Sequence, residues 1–257
     1  MKIVCIGSGN VATHTAKALK EAGNTILQVY SRTREHADLL ATAVGAESID
    51  DLENIDRNAD FYLFSVKDDA LPDLVFRMPA TTGIWAHTAG SIPVSVLSPH
   101  CKRGVIYPLQ TFSRDRNLNF REIPLFIEGE DDETTHVLKR LAETISGNVR
   151  ILSGDKRRVL HLAAVFACNF TNHMYALASQ VVEEENLPFH LLNALITETA
   201  AKVGLMSPYE AQTGPAVRLD ETTMKKHLAL LKDPDKKRIY ALLSENIHKI
   251  NTEKLSC

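Results

Sequence analysis

The sequence predicts a two-part α/β protein, in which a Rossmann-type doubly wound parallel sheet is followed by an all-helical domain. Two observations predict this fold class. Over residues 1–152, short apolar runs alternate with helical patterns, which is typical of a mostly parallel sheet covered by helices on both faces. Over residues 153–257 only helical periodicity is present, and prolines interrupt it. We therefore place the domain boundary after residue 152.

The predicted elements follow this division. Strands are expected at residues 2–6, 25–30, 61–66, 83–88, 103–107 and 123–128. Helices of the first domain are expected at residues 11–22, 34–44, 68–76, 92–98 and 132–146. Helices of the second domain are expected at about 155–185, 189–204, 220–232 and 235–250. The third predicted strand is almost continuously apolar, as a central strand buried on both faces should be.

A glycine-rich turn, Gly7-Ser8-Gly9-Asn10-Val11-Ala12, joins the first strand to the first helix. It is the G-x-G-x-x-A form of the dinucleotide-binding turn, and it has the strand before it and the helix after it that the motif requires. The first glycine permits a sharp turn, and the second lets backbone approach a pyrophosphate at the helix N-terminus. We expect the cofactor-binding residues here to be Gly7, Ser8, Gly9, Asn10 and Val11.

The end of the second strand indicates which dinucleotide is bound. An NAD site usually has an acidic residue about 20 residues beyond the glycines, where it accepts from the ribose 2′-hydroxyl. This chain has Ser31-Arg32-Thr33-Arg34 there, so an arginine and two hydroxyls are available for the 2′-phosphate of NADP. We expect Ser31, Arg32 and Thr33 to bind NADP(H). The alternative is that both arginines are the solvated start of the next helix.

Polar segments follow the later strands, and ligands of doubly wound sheets lie beyond the carboxyl ends of strands. Ser65, Val66 and Lys67 are expected to line the cofactor site. His87 is a candidate proton-transfer group, with a buried, satisfied histidine as the alternative. Thr88 and Gln110 are expected to bind substrate. Ser91, before Ile92-Pro93, is most simply a helix N-cap.

The first helix of the second domain carries a second group of candidates. At about 100° per residue, His161, Asn169 and Asn172 fall within an arc of roughly 80° on an otherwise apolar helix. We expect His161 to be a proton-transfer group, Asn169 to orient the substrate and Asn172 to contact it, because buried polar groups need partners. The alternative for Asn169 is a core asparagine bonded to nearby backbone.

A loop further along the second domain holds the last candidate. Arg218 lies just before Asp220, which is the predicted N-cap of the helix that follows. Arg218 clamps a substrate carboxylate in one interpretation and pairs with an acidic side chain in the other.

The composition excludes several classes of protein. The formal net charge of −3 gives no electrostatic case for nucleic acid or an anionic membrane. No apolar run is long enough to span a membrane, and the first residues already form the strand that enters the glycine turn, so we expect a cytoplasmic protein. Cys5, Cys101, Cys168 and Cys257 are scattered, which predicts reduced thiols and no metal site.

Several segments together resemble a known family: GSGNVA, SRT, HTAGS, YPLQTF, HLAAVFACNF and TGPAVRLDETTMKKHLALL. The Rossmann half resembles the NADP-binding domain of pyrroline-5-carboxylate reductases, ketopantoate reductases and 6-phosphogluconate-type dehydrogenases. The whole chain is similar to the Rossmann-like family whose second part is the domain of unknown function DUF2520. The resemblance implies an all-helical C-terminal domain of the 6-phosphogluconate dehydrogenase type, which often forms dimers.

The resemblance and the residues together predict a function. We expect an NADP(H)-dependent oxidoreductase that transfers hydride to or from a small C=N or C=O substrate held between the two domains. Hydroxyacid dehydrogenases of the superfamily commonly have a lysine four residues before an asparagine on this helix, whereas Val165 precedes Asn169 here. The alternative is therefore a non-catalytic NADP(H)-binding sensor or partner protein. Apolar residues such as Leu230, Leu242 and Leu243 lead us to expect a homodimer.

Overall fold

Eight strands form a single sheet in the computed structural model, which describes residues 1–98, 100 and 102–254. The strands are β1 (Lys2–Ile6), β2 (Thr25–Tyr30), β3 (Glu47–Ile49), β4 (Phe61–Phe64), β5 (Ile84–His87), β6 (Arg103–Pro108), β7 (Leu125–Gly129) and β8 (Val149–Ile151). Their order is β3-β2-β1-β4-β5-β6-β7-β8. Strands β1 to β6 pair in parallel, and β7 pairs antiparallel with β6. The strand order reverses between β1 and β4, which creates the crevice where doubly wound sheets bind ligands.

Helices cover both faces of this sheet. They are α1 (Asn10–Glu21), α2 (Arg34–Val44), α3 (Leu71–Arg77) and α4 (Asp132–Ile145), and α5 (Gly154–Ala164) follows the last strand. Side chains alternate along the central strands, so Ile3 and Cys5 join one buried cluster while Val4 and Ile6 join the other. The predicted Rossmann-type architecture is confirmed.

Three short elements differ from the prediction. The strands β3 and β8 were not predicted, because each has three residues and a polar residue at its centre. The predicted helix at 92–98 is only a 3₁₀ turn over Val94–Leu97, capped by Pro93. Ser91 is therefore not an N-cap, and its hydroxyl instead donates a hydrogen bond to the carboxylate of Asp68.

The rest of the chain is helical: α6 (Thr171–Glu183), α7 (Asn193–Lys202), α8 (Glu221–Leu230) and α9 (Pro234–Lys254). The predicted long helix at 155–185 is present over residues 154–183, with π-helical backbone over Val165–Phe170 connecting α5 to α6. Asp220 caps α8 as predicted, and its carboxylate accepts from the Thr223 backbone N–H at 3.0 Å. No helix in the described part of the chain is both long and apolar enough to cross a membrane.

The chain divides into two compact units, Met1–Cys168 and Asn169–Cys257, whereas the sequence predicted a boundary after residue 152. Helix α5 belongs to the first unit because a buried arginine ties it to the sheet. Arg157 is fully buried, forms an ion pair with Glu128 of β7, and donates to the Ile92 carbonyl at 2.6 Å. Glu128 also accepts from the backbone N–H of Gly154 at 2.9 Å, at the start of α5.

We expect Arg157→Ala to lower the free energy of unfolding by about 3 kcal/mol or more, since it removes one partner of a buried pair. Arg158→Ala is the matched control. Its exposed pair with Asp155 lies next along the same helix, and its loss should leave stability nearly unchanged. Urea unfolding followed by fluorescence of Trp85, the single tryptophan and a buried residue of β5, measures both. Equal unfolding midpoints for the two variants would show that Arg157 is not an anchor.

Candidate functional site

A groove of about 650 Å³ lies at the carboxyl ends of the parallel strands, where the strand order reverses. The loops after β1, β2, β4, β5 and β6 all contribute to its walls. Every residue predicted to bind cofactor lines it: Gly7, Ser8, Gly9, Asn10, Val11, Ser31, Arg32, Thr33, Ser65, Val66 and Lys67. Thr88 and Gln110, predicted to bind substrate, line the same groove.

The two glycines of the turn have different roles. Gly7 has φ of +116°, and a Cβ there would lie 2.2 Å from the Ser65 carbonyl oxygen, so no other residue fits between β1 and β4. Gly9 is the N-cap residue of α1 with an ordinary φ of −75°, and a Cβ there would meet nothing within 4 Å. Gly9 is thus unnecessary for the fold, and its missing side chain leaves open space at the start of α1.

The start of α1 suits an anion. No side chain caps this helix terminus, and its first turn contains no acidic residue. The free backbone N–H groups and the positive end of the helix dipole therefore face the groove without a competing carboxylate. A phosphate group at Gly9 would satisfy these donors.

The charged side chains that line the groove are positive. Among the described residues, no aspartate or glutamate lines it, whereas Arg32 and Lys67 do. Arg34 is engaged, since it pairs with Asp38 at 3.2 Å and with Asp50 at 3.4 Å. Arg32 forms no ion pair or side-chain hydrogen bond with any described residue. The two arginines of the predicted motif are therefore not equivalent, and only Arg32 is available to a ligand.

The loop after β6 lies against the glycine turn. Asn10 donates to the Phe112 carbonyl at 2.8 Å, and Arg114 donates to the Ser8 carbonyl at 3.0 Å. Phe112 and His36 line the groove, although neither was predicted as a site residue. Phe112 has no sequence signal because its place depends on contacts between segments about a hundred residues apart.

The hydroxyls of Ser65 and Thr88 connect two of the groove's walls. Both side chains are buried, and the Thr88 hydroxyl donates to the Ser65 hydroxyl at 3.3 Å. The Thr88 backbone N–H also donates to the Phe64 carbonyl at 3.1 Å. Thr88 is thereby held in place at the groove wall.

His87 ends β5 and is fully buried. Its Nδ1 accepts from the Ala89 backbone N–H at 3.1 Å, so the ring of the neutral form carries its proton on Nε2. Burial, assisted by the charge of Arg157, lowers the pKa of His87 to about 4. The ring is therefore neutral near pH 7 and has no exposed surface for a substrate. It is buried, as the alternative expected, but its Nε2 has no hydrogen-bond partner among the described residues, so it is not a fully satisfied histidine.

His161 has a different environment. It is half-buried on α5, and its Nδ1 lies 2.9 Å from the hydroxyl of Tyr107 on β6. The sequence predicted His161 but not Tyr107, because nothing in the segment Tyr107-Pro108-Leu109 distinguishes the tyrosine from an ordinary buried strand residue.

The remaining candidates lie in the second unit. Asn169, Asn172 and Arg218 are all exposed there. Because both asparagines are exposed to solvent in a single chain, the free-energy cost of burying an unpaired amide does not arise for them. The predicted arc also assumed regular α-helix, whereas Val165–Phe170 is π-helical and turns less per residue. Their roles toward a substrate stay predictions.

In residues 1–98, 100 and 102–254, no three side chains of the metal-binding types lie close enough together to hold a metal ion. Cys5 is fully buried, and burial raises the pKa of its thiol to about 12, so it is unreactive. Cys168 is a free, half-buried thiol. Cys101 and Cys257 lie outside the described residues.

The sheet order and the glycine turn define a Rossmann-like protein with a helical C-terminal part. The model of the Rossmann-like domain matches residues 1–112, and that of the domain of unknown function DUF2520 matches residues 123–247. The putative NADP oxidoreductase BF3122 from Bacteroides fragilis is 47% identical over 96% of this chain and 98% of its own, with a TM-score of 0.92. The chain belongs to the family of Rossmann-like proteins that carry a DUF2520 domain.

Two more distant structures share the fold. Protein TM1727 from Thermotoga maritima has 20% identity and a TM-score of 0.75, with 98% of this chain and 99% of that chain covered. The reductive aminase from Aspergillus terreus, solved in complex with NADPH and ethyl levulinate, has 13% identity and a TM-score of 0.72, with 98% and 94% covered. No curated protein matches the chain in sequence.

The lowered pKa of His87 predicts a pH-dependent stability. A group whose pKa is lower in the folded state contributes its full stability above the unfolded pKa of 6.5, and that contribution is lost as the pH falls toward 4. Between pH 7 and pH 4, wild-type protein should lose roughly 3 kcal/mol more stability than His87→Asn. Urea unfolding at each pH measures the difference. His136→Asn, which removes an exposed histidine of α4, should keep the wild-type pH dependence, and parallel curves for wild type and His87→Asn would contradict the assignment.

Proposed function

We propose that the protein is an NADP(H)-dependent oxidoreductase that transfers a hydride to or from a C=N or C=O carbon of a small substrate. One observation carries the proposal. The groove at the switch point of the sheet combines an uncapped helix N-terminus at Gly9 with an unpaired arginine at Arg32, and no carboxylate of the described residues lines it.

The residues of the groove fit the phosphates of NADP(H). The backbone N–H groups from Gly9 to Val11 would hold the pyrophosphate, with Ser8 beside them. Arg32 would pair with the 2′-phosphate, and the hydroxyls of Ser31 and Thr33 would donate to it. Ser65, Val66 and Lys67 line the opposite wall. When bound, NADPH supplies the hydride, and the protein's own residues position the substrate and move the proton.

The names of the structural relatives agree with this chemistry. BF3122 is described as a putative NADP oxidoreductase at 47% identity, and the reductive aminase of the same fold was solved with NADPH. The groove residues proposed to bind substrate are Thr88 and Gln110. Since Val165 stands where hydroxyacid dehydrogenases commonly have a lysine, the proton donor must be another residue.

Titration with NADPH and NADH, followed by nucleotide fluorescence, tests the cofactor assignment. Arg32→Ala should weaken NADPH about 10- to 100-fold and leave NADH nearly unchanged, because a charge-assisted contact to the 2′-phosphate is lost. Arg34→Ala is the matched control, since its partners are Asp38 and Asp50, and it should change the Kd for NADPH less than about twofold.

Gly9→Ala tests the phosphate cradle in the same assay. Its Cβ meets no protein atom within 4 Å, so the variant should fold with wild-type stability yet bind neither nucleotide. Failure of the wild-type protein to bind either nucleotide would overturn the oxidoreductase assignment. Tight NADPH binding without turnover of any imine, ketoacid or hydroxyacid would favour the sensor alternative.

We also propose that the protein is a homodimer. Ala216 is the one buried hydrophobic residue among the described residues of the second unit, and helices α6, α7 and α8 bury none. Large apolar side chains are exposed there instead, including Leu191, Leu195, Leu205, Leu230 and Leu242. A helical layer must bury its apolar surface to be stable, and a second copy of the chain offers the same surface in return.

Sedimentation equilibrium should give twice the chain mass of 28.5 kDa. Leu230→Glu combined with Leu242→Glu should shift the protein toward monomer, because both side chains are more than two-thirds exposed in one chain and would become buried charges in the dimer. Leu39→Glu, at an exposed leucine of α2 in the first unit, should leave the mass unchanged. A wild-type monomer would contradict the proposal.

A further inference from the structure

A hydrogen bond joins Tyr107 of β6 to His161 of α5, which are far apart in the sequence. The Tyr107 hydroxyl lies 2.9 Å from Nδ1, and the two rings meet edge to face at 5.9 Å. Tyr107 is only 7% exposed, whereas His161 is half-buried. Tyr107 is therefore enclosed by the protein, whereas part of His161 is exposed to solvent.

Gly90 fixes the position of the histidine ring. A Cβ at this residue would lie 2.5 Å from Nδ1 of His161 and 2.9 Å from Cζ of Tyr107, so only glycine fits beneath the pair. Arg157, one helical turn before His161, holds α5 to the sheet from the other side. The imidazole is thus positioned by its packing over Gly90 and by the contacts of Arg157, which hold its helix in place.

The hydrogen bond joins a group that can donate or accept to one nitrogen of the imidazole. Burial raises the pKa of Tyr107, so its hydroxyl stays protonated and is able to donate to Nδ1 of a neutral imidazole. In the imidazolium form, Nδ1–H donates to the tyrosine oxygen instead. In that form Nε2 also carries a proton, and it makes no hydrogen bond to any described residue.

The pair lies at the same edge of the sheet as the groove. Gly90 comes two residues after Thr88, and Tyr107 comes three residues before Gln110; both Thr88 and Gln110 line the groove. His87, the other histidine near these strands, is fully buried with its Nδ1 occupied by a backbone N–H. Of these two histidines, His161 is therefore the one that is available as a proton donor.

Resting on the proposed function, we propose that His161 donates the substrate proton from Nε2 and that Tyr107 is its positioning residue. The carbon of the C=N bond gains a hydride, with its electron pair, from reduced nicotinamide. The π electrons of that bond move to nitrogen, which takes the proton from Nε2 of the imidazolium. The ring is then transiently neutral with its remaining proton on Nδ1, donated to the Tyr107 oxygen, and a proton from solvent returns to Nε2 and restores the imidazolium.

Reduction of 2-methyl-1-pyrroline by NADPH tests the donor. His161→Gln should lower kcat about 100-fold or more, and Tyr107→Phe should lower it by a smaller factor. Gly90→Ala should also lower kcat, although it leaves both functional groups in place, since its methyl group displaces the ring. In all three variants the Kd for NADPH should stay within about twofold of wild type. His136→Gln, at the exposed histidine of α4, is the control and should match wild type in both quantities.

Long-range ¹H–¹⁵N spectra of the imidazole rings test the positioning role without turnover. Neutral His161 should show the Nε2–H tautomer in wild-type protein and a mixture of tautomers in Tyr107→Phe. An unchanged tautomer in Tyr107→Phe, or a kcat of His161→Gln equal to that of wild type, would overturn this inference alone. A wild-type protein that binds NADPH but reduces no imine or carbonyl compound would overturn the proposed function and this inference with it.

Discussion

Arg157 is fully buried beneath the start of α5, and its ion pair with Glu128 joins the first helix beyond the sheet to the antiparallel strand β7. Its second contact, to the Ile92 carbonyl, reaches the segment that follows β5. Three separate stretches of chain therefore meet at one guanidinium. A buried ion pair adds little net stability compared with apolar packing, but it penalises every arrangement that separates the charges. The position of α5, and with it of His161, depends on this contact.

The groove is shaped by a second constraint, which is the close approach of β1 and β4 at Gly7. Because the turn packs against the Ser65 carbonyl, the backbone N–H groups of α1 are presented at the point where the strand order reverses. The two arginines that follow β2 differ in their contacts. Arg34 ties α2 to neighbouring carboxylates, while Arg32, two residues earlier, is left for a ligand. The first unit therefore contains both the groove that we propose to bind phosphate and the polar pair, Tyr107 and His161, that we propose for proton transfer.

The prediction succeeded where the signal was local. The glycine turn, the central strands and the N-cap at Asp220 each depend on residues within a few positions of one another, so their patterns appear directly in the sequence. It failed for β3 and β8, which are three-residue strands stabilised by pairing at the sheet rather than by their own apolar pattern. It also failed at residues 92–98, where Pro93 and the contact of Ser91 with Asp68 favour a short 3₁₀ turn over an α-helix.

The sequence by itself determined the fold class and the eleven groove residues predicted to bind cofactor, because the G-x-G-x-x-A turn and the Ser-Arg-Thr segment carry their chemistry in contiguous residues. Only the tertiary structure decided which polar residues are available. His87 and His161 look alike in the sequence, yet one is a buried neutral ring and the other has an open Nε2. Arg157 looks like part of a solvated charged run, yet it is buried. Burial and partnership depend on contacts between distant segments, and a linear pattern does not contain them.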